Sequence, residues 1–298
     1  MSIKSDREFQ ALRAIGRIVA LVLRELAQQV KQGVTTAELD GLAAKFLAEY
    51  GATSAPAFVY GFPGSVCISV NDEIVHGIPG TRVVRPGDLV KLDLTAEKDG
   101  YMADAALTVP VPPVSDDAAR LADCAERAFK RAMHSARAFR RIADIGMAVE
   151  QEVKRGGFSV VRALCGHGIG RTIHEEPQVP NYGDTRSRQR LTEGLVITVE
   201  PIIAAGSGEA LLGEDGWTVK TADHRLAAHY EHTMVITRSE PVLLTLAQSL
   251  HCQTPPASGW LDEWGRLKGG YPFGLGVALK RASVLKVKTV HPIHPRPL

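Results

Sequence analysis

Apolar residues recur at helical spacing in two stretches near the N-terminus. Ser5 and Glu8 form a capping-box pattern at the start of the first, and Gly33 is expected to end that helix. Thr35 and Glu38 repeat the pattern before the second, which Gly51 closes. The apolar positions are Leu12, Ile15, Val19, Val22, Leu23 and Leu26 in the first and Leu39, Leu42, Phe46 and Leu47 in the second. The pattern predicts two amphipathic helices.

Strand-like runs follow these helices, and the same order then recurs. A polar break at 114–117 precedes a helical stretch to about Arg140. A shorter helix is expected at 147–154, and the strand-like runs cover 66–70, 89–95, 101–109, 158–164, 195–203, 218–221 and 229–237. Helices followed by strands, twice, favour a mixed α+β class with largely antiparallel pairing over a parallel βαβ array.

The composition is that of an ordinary globular chain, with 45% hydrophobic and 23% charged residues. No apolar run approaches the roughly 18 residues that a membrane span requires, and the N-terminus has no hydrophobic signal core. We therefore expect a cytoplasmic protein with no membrane partner. Four cysteines without Cys-x-x-Cys spacing are expected to be reduced thiols, namely Cys67, Cys124, Cys165 and Cys252.

Residues 247–298 differ in character from residues 1–246. They carry a net charge of +5, whereas the rest of the chain carries −3 and the whole chain +2. They show no sustained periodicity, which predicts a basic extension with little structure of its own after a domain over 1–246. Aromatic residues interleaved with basic ones could stack on single-stranded RNA. A loosely packed tail that covers part of the domain is the preferred interpretation.

A pair of aspartates in a predicted hairpin is the strongest chemical signal. Asp93 and Asp104 lie in apolar runs that flank the turn at 98–100, and they are equidistant from the midpoint between residues 98 and 99. In that register the two side chains would face each other, with Cβ atoms about 4.5 to 5.5 Å apart. Their apolar neighbours would leave the repulsion unscreened, and a divalent cation would relieve it. An exposed hairpin with two incidental aspartates is the structural alternative.

Two glutamates and one histidine extend this set. Glu200 ends an apolar run before Pro201, and Glu231 lies inside another, where a charge needs a cation or several hydrogen bonds. For each glutamate alone, a Lys or Arg partner is the better explanation. His167 stands between two glycines, which expose the imidazole and make it the candidate nitrogen ligand. The glycine spacing there does not match a dinucleotide-binding fingerprint.

Six short motifs, in order along residues 3–246, resemble the successive signatures of type I methionine aminopeptidases. They are His76-Gly77-Ile78-Pro79, the Asp93/Asp104 pair, Gly166-His167-Gly168-Ile169-Gly170, His174-Glu175-Glu176-Pro177, Val199-Glu200-Pro201 and Tyr230-Glu231-His232-Thr233. The resemblance implies the pita-bread fold, a pseudo-twofold arrangement of antiparallel strands backed by helices. It also implies a hydrolase that removes the initiator methionine from peptides and nascent chains and prefers a small second residue.

The resemblance implies a cofactor of two divalent metal ions. Asp104 and Glu231 would bridge the two ions. The full ligand set implied is Asp93, Asp104, His167, Glu200 and Glu231. This hard, oxygen-rich set suits Mn(II), Fe(II) or Co(II), with zinc as a further candidate.

The resemblance also assigns the catalytic and substrate-binding groups. Glu200 would move the proton, and His76 and His174 would contact the scissile amide and the tetrahedral intermediate. The methionine pocket would be formed by Phe62, Cys67 and Trp217, although core packing is a nearly equal alternative for Cys67. Three positions depart from the family's usual residues and bear on substrate preference and turnover, namely Tyr60, Ala105 and Ile173.

Two rival functions stay open at this point. A proline-specific dipeptidase would use the same fold and ligands, but such enzymes usually carry an extra N-terminal domain, whereas the catalytic helix here begins near Ser5. A metal-free pita-bread protein would instead bind RNA or the ribosome, and the presence of all five ligands counts against it. The ribosome is also a candidate partner of the enzyme, and DNA is not an expected one.

Overall fold

The structure, a computed structural model, describes residues 1–184 and 186–246. The extension expected over 247–298 and Cys252 therefore lie outside the described residues. Within the described part the helices are α1 Asp6–Gln29, α2 Thr36–Glu49, α3 Ala55–Tyr60, α4 Asp116–Met133 and α5 Ile142–Gly156. No helix among them has the length and apolar character that crossing a membrane would need.

The strands of the described residues form one large and two small antiparallel sheets. The bounds are β1 Thr53–Ser54, β2 Cys67–Val70, β3 Glu73–Val75, β4 Leu89–Lys98, β5 Tyr101–Pro110, β6 Ser159–Val160, β7 Cys165–Gly168, β8 Glu175–Pro180, β9 Val196–Val199, β10 Ile202–Ala204, β11 Ala210–Leu212, β12 Val219–Thr221, β13 Ala227–His229, β14 Glu231–Val235 and β15 Val242–Leu243. The large sheet runs β1-β4-β5-β14-β9-β7-β8, with β2 on β4 and β15 on β14. The small sheets run β13-β10-β6 and β11-β12-β3. The predicted mixed α+β class with antiparallel pairing is confirmed.

The first two helices begin where the capping patterns place them. The Ser5 hydroxyl accepts from the Glu8 N–H, and Thr35 and Glu38 form a complete capping box. Helix α1 ends at Gln29, earlier than the predicted stop at Gly33, because residues 33 and 34 hydrogen-bond through their backbone to Val84 instead. Helix α4 likewise ends at Met133 rather than near Arg140.

Each half of the large sheet is covered by a pair of helices. In the first half, α1 and α2 bury residues such as Leu12 and Leu39 in a core with Leu92 on β4. In the second half, α4 and α5 bury residues such as Leu121 and Val149 against strands β9 and β14. The halves join where β5 pairs with β14. The helix-then-strand order of the sequence thus appears in space as two helix-backed halves of one sheet.

The β4–β5 hairpin has a different register from the predicted one. Its turn is the two residues Asp99 and Gly100, with φ of 54° and 78°, as is typical of tight hairpins. Asp93 therefore lies opposite Ala106, and Asp104 opposite Thr95. The expectation that the two aspartates face each other directly was wrong. Because the shift is two residues, both carboxyl groups still project from the same face, as diagonal neighbours.

Two of the predicted strands are each divided between two sheets. The run at 195–203 breaks at Glu200 into β9 and β10, and the run at 229–237 breaks at Tyr230 into β13 and β14. Strand β14 pairs with β9 in the large sheet and β13 pairs with β10 in a small one. The pairs His232 with Val199 and His229 with Ile202 share one register. This two-stranded ribbon therefore bends where Glu200 and Glu231 stand across from each other.

Two helical glycines give a matched test of the packing. A Cβ at Gly16 on α1 would lie 2.5 Å from the Leu244 carbonyl oxygen, whereas a Cβ at the exposed Gly41 on α2 would meet nothing within 4 Å. We expect Gly41→Ala to raise the free energy of unfolding by up to about 1 kcal/mol, because alanine favours helix. We expect Gly16→Ala to lower it by about 1–3 kcal/mol through overpacking. Urea unfolding measures both, and equal effects would contradict the close approach of Leu244.

Candidate metal centre

A cleft of about 320 Å³ is lined by residues from both halves of the large sheet. Every site residue predicted from the sequence lines it, namely Phe62, Cys67, His76, Asp93, Asp104, His167, His174, Glu200, Trp217 and Glu231. Of the three departures from the family pattern, Tyr60 and Ile173 also line the cleft, while Ala105 is buried beside it. Side chains from positions as distant as 62 and 231 thus converge on one cavity.

The order of the strands explains how the five candidate ligands meet. Asp93 lies on β4, Asp104 on β5, Glu231 on β14 and His167 on β7, while Glu200 directly follows β9. These strands are consecutive in the large sheet, in the order β4-β5-β14-β9-β7. Each of four neighbouring strands therefore carries one carboxylate or imidazole of the cleft, and the fifth, β9, leads directly into Glu200.

The carboxyl groups are crowded in a poorly hydrated place. Burial, followed by repulsion from neighbouring carboxylates, holds the pKa of Asp93, Glu200 and Glu231 well above the ordinary range. Burial also raises the pKa of Asp104, against an opposing effect of His167. In the part of the chain that the structure describes, no Lys or Arg forms an ion pair with any of the four. The protein partners that would have explained the two glutamates without a metal are therefore missing from that part.

Several atoms of the cluster are suited to hold a cation. Among the described residues, Asp104 Oδ1 and Glu231 Oε1 are buried without a hydrogen-bond partner. Ligand atoms of Asp104, His167 and Glu231 all lie within 4.8 Å of one another. His167 Nδ1 is 2.9 Å from the Gly168 carbonyl oxygen, which makes Nδ1 the donor and leaves the lone pair on Nε2. Oxygen atoms with one imidazole nitrogen fit a divalent ion of the first transition row.

Two threonines that sequence reasoning missed hold the cluster in place. The Thr198 hydroxyl accepts from the His167 N–H and donates to Glu200 Oε1, both at 3.0 Å. The Thr233 hydroxyl donates to the Asp104 carbonyl at 2.7 Å and accepts from the Asp104 N–H at 2.9 Å. Thr198 is two residues before Glu200, a spacing that places both on one face of a strand. That spacing is the signal that could have found it.

The predicted substrate histidines line the cleft beside the carboxylates. His174 Nδ1 is 2.8 Å from the Tyr60 hydroxyl, and its ring lies edge-on to His167 at 4.4 Å between centroids. His76 has a φ of 57°, an uncommon backbone conformation for a residue other than glycine. Residues in such conformations concentrate at functional sites, where the surrounding structure holds them.

The residues predicted to form the methionine pocket, Phe62, Cys67 and Trp217, all line the cleft. Phe62 and Trp217 pack edge to face, with ring centroids 5.3 Å apart. Cys67 is buried on β2 opposite Asp93 on β4. Burial and the nearby Asp93 carboxylate raise the pKa of the Cys67 thiol, which therefore stays protonated. Cys67 is buried and also lines the cleft.

A fourth histidine beside the cluster, His229, was missed by sequence reasoning. It is buried two residues before Glu231, with Nε2 3.2 Å from Glu231 Oε2. The stretch Ala227-Ala228-His229 looks like ordinary strand interior in the sequence. Only the bend between β13 and β14 brings its imidazole to the cluster.

Comparisons with known proteins agree with this geometry. Residues 10–238 match the family model described as metallopeptidase family M24. Methionine aminopeptidase 1 of Bacillus subtilis is 41% identical over 242 residues, which cover 81% of this chain and 98% of the relative.

Known structures give the same result. The crystal structure of methionine aminopeptidase from Rickettsia prowazekii aligns with a TM-score of 0.79 at 35% identity, covering 83% of this chain and 100% of that one. A prolidase from Pyrococcus furiosus aligns with a TM-score of 0.67 at 22% identity over 83% of this chain and 66% of the prolidase. The second likeness concerns the fold alone. The predicted pita-bread fold is confirmed.

Neutralising Glu231 tests the electrostatic cost of the cluster. The pKa of Glu231 is raised above its ordinary value of 4.5, so the folded protein binds more protons than the unfolded one above that pH. Stability of the metal-free protein should therefore fall as pH rises through this window. We expect Glu231→Gln to raise the free energy of unfolding of metal-free protein at pH 7.5 by about 1–2 kcal/mol, as is common when a strained site is relieved.

Denaturant unfolding in the presence of a chelator, at pH 5 and pH 7.5, measures this effect. The gain from Glu231→Gln should be smaller at pH 5, and the variant should be stabilised less than the native protein by added Mn(II). Glu214→Gln, at an exposed position, is the control and should change neither result. A Glu231→Gln protein that is less stable than the native one at pH 7.5 would contradict the repulsion described above.

Proposed function

The chain belongs to metallopeptidase family M24, and on that premise we propose that it is a methionine aminopeptidase that removes the initiator methionine from peptides and nascent chains. It is a hydrolase and a metallo-exopeptidase, as the relatives at 41% identity are. The observation that carries the proposal is the convergence of four carboxylates and one imidazole, from five adjacent strands, on a single cleft. The family inferred from six sequence motifs is confirmed by the same relatives.

The proposed ligands of the dinuclear centre are those named from the sequence. Asp93, Asp104, His167, Glu200 and Glu231 would together hold the two ions. The donor set supports Mn(II), Fe(II) or Co(II), with zinc as a further candidate. When bound, such a pair of ions supplies hydroxide near neutral pH and polarises the scissile carbonyl.

Glu200 is the proposed proton carrier. The Thr198 hydroxyl fixes Glu200 Oε1, and the Asn181 side chain donates to the Glu200 carbonyl at 2.8 Å. A carboxylate held in this way can take a proton from the attacking water and deliver it to the leaving amine. The bond broken is the peptide bond after the first residue, and the products are free methionine and the shortened chain.

His174 and His76 are the proposed contacts to the reacting amide. With the Tyr60 hydroxyl donating to His174 Nδ1, the His174 Nε2 atom carries the proton and can donate to the substrate's carbonyl oxygen. This places a donor where negative charge develops in the transition state. Tyr60 thus orients His174 in this chain.

The amino group and the side chain of the substrate's first residue would be recognised by different parts of the cleft. The free amino group would lie on the Asp93 side of the cleft, where the carboxylates concentrate negative charge. The methionine side chain would lie against Phe62, Cys67 and Trp217, which offer the apolar, aromatic and sulfur contacts that suit a thioether. A residue without a free amino group would lack the first of these interactions.

The domain boundaries and the cellular setting are further parts of the proposal. A catalytic domain over 1–246 is supported by the family match at 10–238. The basic extension over 247–298 would follow it. We place the protein in the cytoplasm, where nascent chains emerge from the ribosome, with no DNA or membrane partner.

The rival functions are not favoured. The prolidase is only 22% identical to this chain, so its likeness supports the fold and not a shared substrate. A binding module without metal would leave the negative charge of four crowded carboxylates uncompensated. Purified protein loaded with Mn(II) or Co(II) should release methionine from Met-Ala-Ser and should not cleave an Xaa-Pro dipeptide. A chelator should abolish the release, and added metal should restore it. Preference for the Xaa-Pro dipeptide, or tight RNA binding with no methionine release, would overturn the proposal.

Substitutions at His174 and Tyr60 test the donor to the substrate. We expect His174→Ala to lower kcat by about 10²- to 10³-fold, as loss of one oxyanion donor does. Tyr60→Phe should lower kcat/KM by about tenfold, equivalent to one hydrogen bond of about 1.4 kcal/mol. Tyr50→Phe, at an exposed tyrosine, is the matched control.

Metal binding measured by calorimetry should be unchanged in all three variants, because none of these residues is a proposed ligand. Loss of metal from His174→Ala would contradict this role.

A further inference from the structure

His229 ends strand β13 in a fully enclosed position. Its side chain is 1% exposed. Neither Nδ1 nor Nε2 has a hydrogen-bond partner among the described residues. Leaving a buried polar group unsatisfied costs about 1–3 kcal/mol. The imidazole is therefore expected to interact with a group other than the described protein atoms.

The surroundings of His229 indicate what that group is. Ligand atoms of Glu200, His229 and Glu231 all lie within 4.8 Å of one another, and all three residues are buried. His229 Nε2 is 3.2 Å from Glu231 Oε2, yet the two atoms are not aligned for a hydrogen bond. Two atoms that bind one ion at about 2.1 Å lie about 3.0 Å apart at a right angle and about 3.4 Å apart at a tetrahedral angle. The observed separation fits two ligands of one ion.

We propose that His229 is an additional ligand of the metal centre, with Nε2 binding the ion that Glu200 and Glu231 hold. This inference rests on the dinuclear centre of the proposed function. It gives the centre a second imidazole in addition to that of His167. Imidazole nitrogen suits iron and zinc, whereas all-oxygen sets suit manganese. His229 would therefore shift the metal preference of this chain away from Mn(II).

The number of imidazoles bound to cobalt tests the proposal directly. X-ray absorption of the Co(II)-loaded full-length protein reports histidine ligands through the outer-shell scattering of their rings. We expect two imidazoles per dinuclear centre in the native protein and one in His229→Gln. We also expect Co(II) affinity, measured by calorimetry, to fall about 10- to 100-fold in that variant.

His232→Gln is the matched control. His232 follows Glu231 directly, and its Nδ1 and Nε2 already pair with the Thr245 and Tyr230 hydroxyls at 2.9 and 3.2 Å. This substitution should leave both the imidazole count and the Co(II) affinity unchanged. Circular dichroism and thermal unfolding show that each variant is folded.

Each outcome supports or overturns the proposal. A count of one imidazole per dinuclear centre in the native protein overturns the proposal, even where His229→Gln does not fold. A folded His229→Gln with the same imidazole count as the native protein also overturns it. Either result, in a native protein that binds Co(II) and releases methionine, leaves the proposed function intact. A native protein that binds no Co(II) overturns both.

Discussion

Mutual repulsion among four carboxyl groups in one poorly hydrated cleft is the constraint on which this structure depends. Three of them are buried, Asp93 is partly buried, and the described residues offer no Lys or Arg to neutralise them. A fold that keeps such a cluster gives up stability in the metal-free state. The same crowding makes the site a strong attractor for cations, so the cost in folding and the gain in metal binding have one origin.

The large sheet withstands this repulsion because the carboxyl groups are distributed over neighbouring strands, which backbone hydrogen bonds hold together. Four adjacent strands each carry one candidate ligand and Glu200 directly follows the fifth, so no strand holds two of the candidate ligands. The Thr198 and Thr233 hydroxyls each connect two strands at the level of the ligands. The helix pairs behind each half supply the burial that keeps the strands in register. Burial of apolar side chains in the two cores thus stabilises the sheet against the repulsion among the carboxyl groups, which an isolated hairpin could not withstand.

The parts of this arrangement that the sequence predicts are those with a local cause. Capping boxes at Ser5 and Thr35 fix the starts of helices, and apolar periodicity fixes the class of fold. The hairpin register was wrong because the favourable turn is Asp99-Gly100, one step along from the midpoint assumed, and a two-residue slip preserves the face. His229 was missed because its importance comes from a bend between sheets. No short-range pattern encodes that bend.

The bend in the ribbon of β9–β10 and β13–β14 also limits how the chain can vary in length. One register runs through both sheets, and Glu200 and Glu231 stand opposite each other at the crossing. Adding or deleting one residue on either side would turn alternate side chains to the wrong face in one sheet while the other stayed aligned. Insertions and deletions should therefore be tolerated in the outer loops but not in this ribbon, whose length is fixed by its register in both sheets.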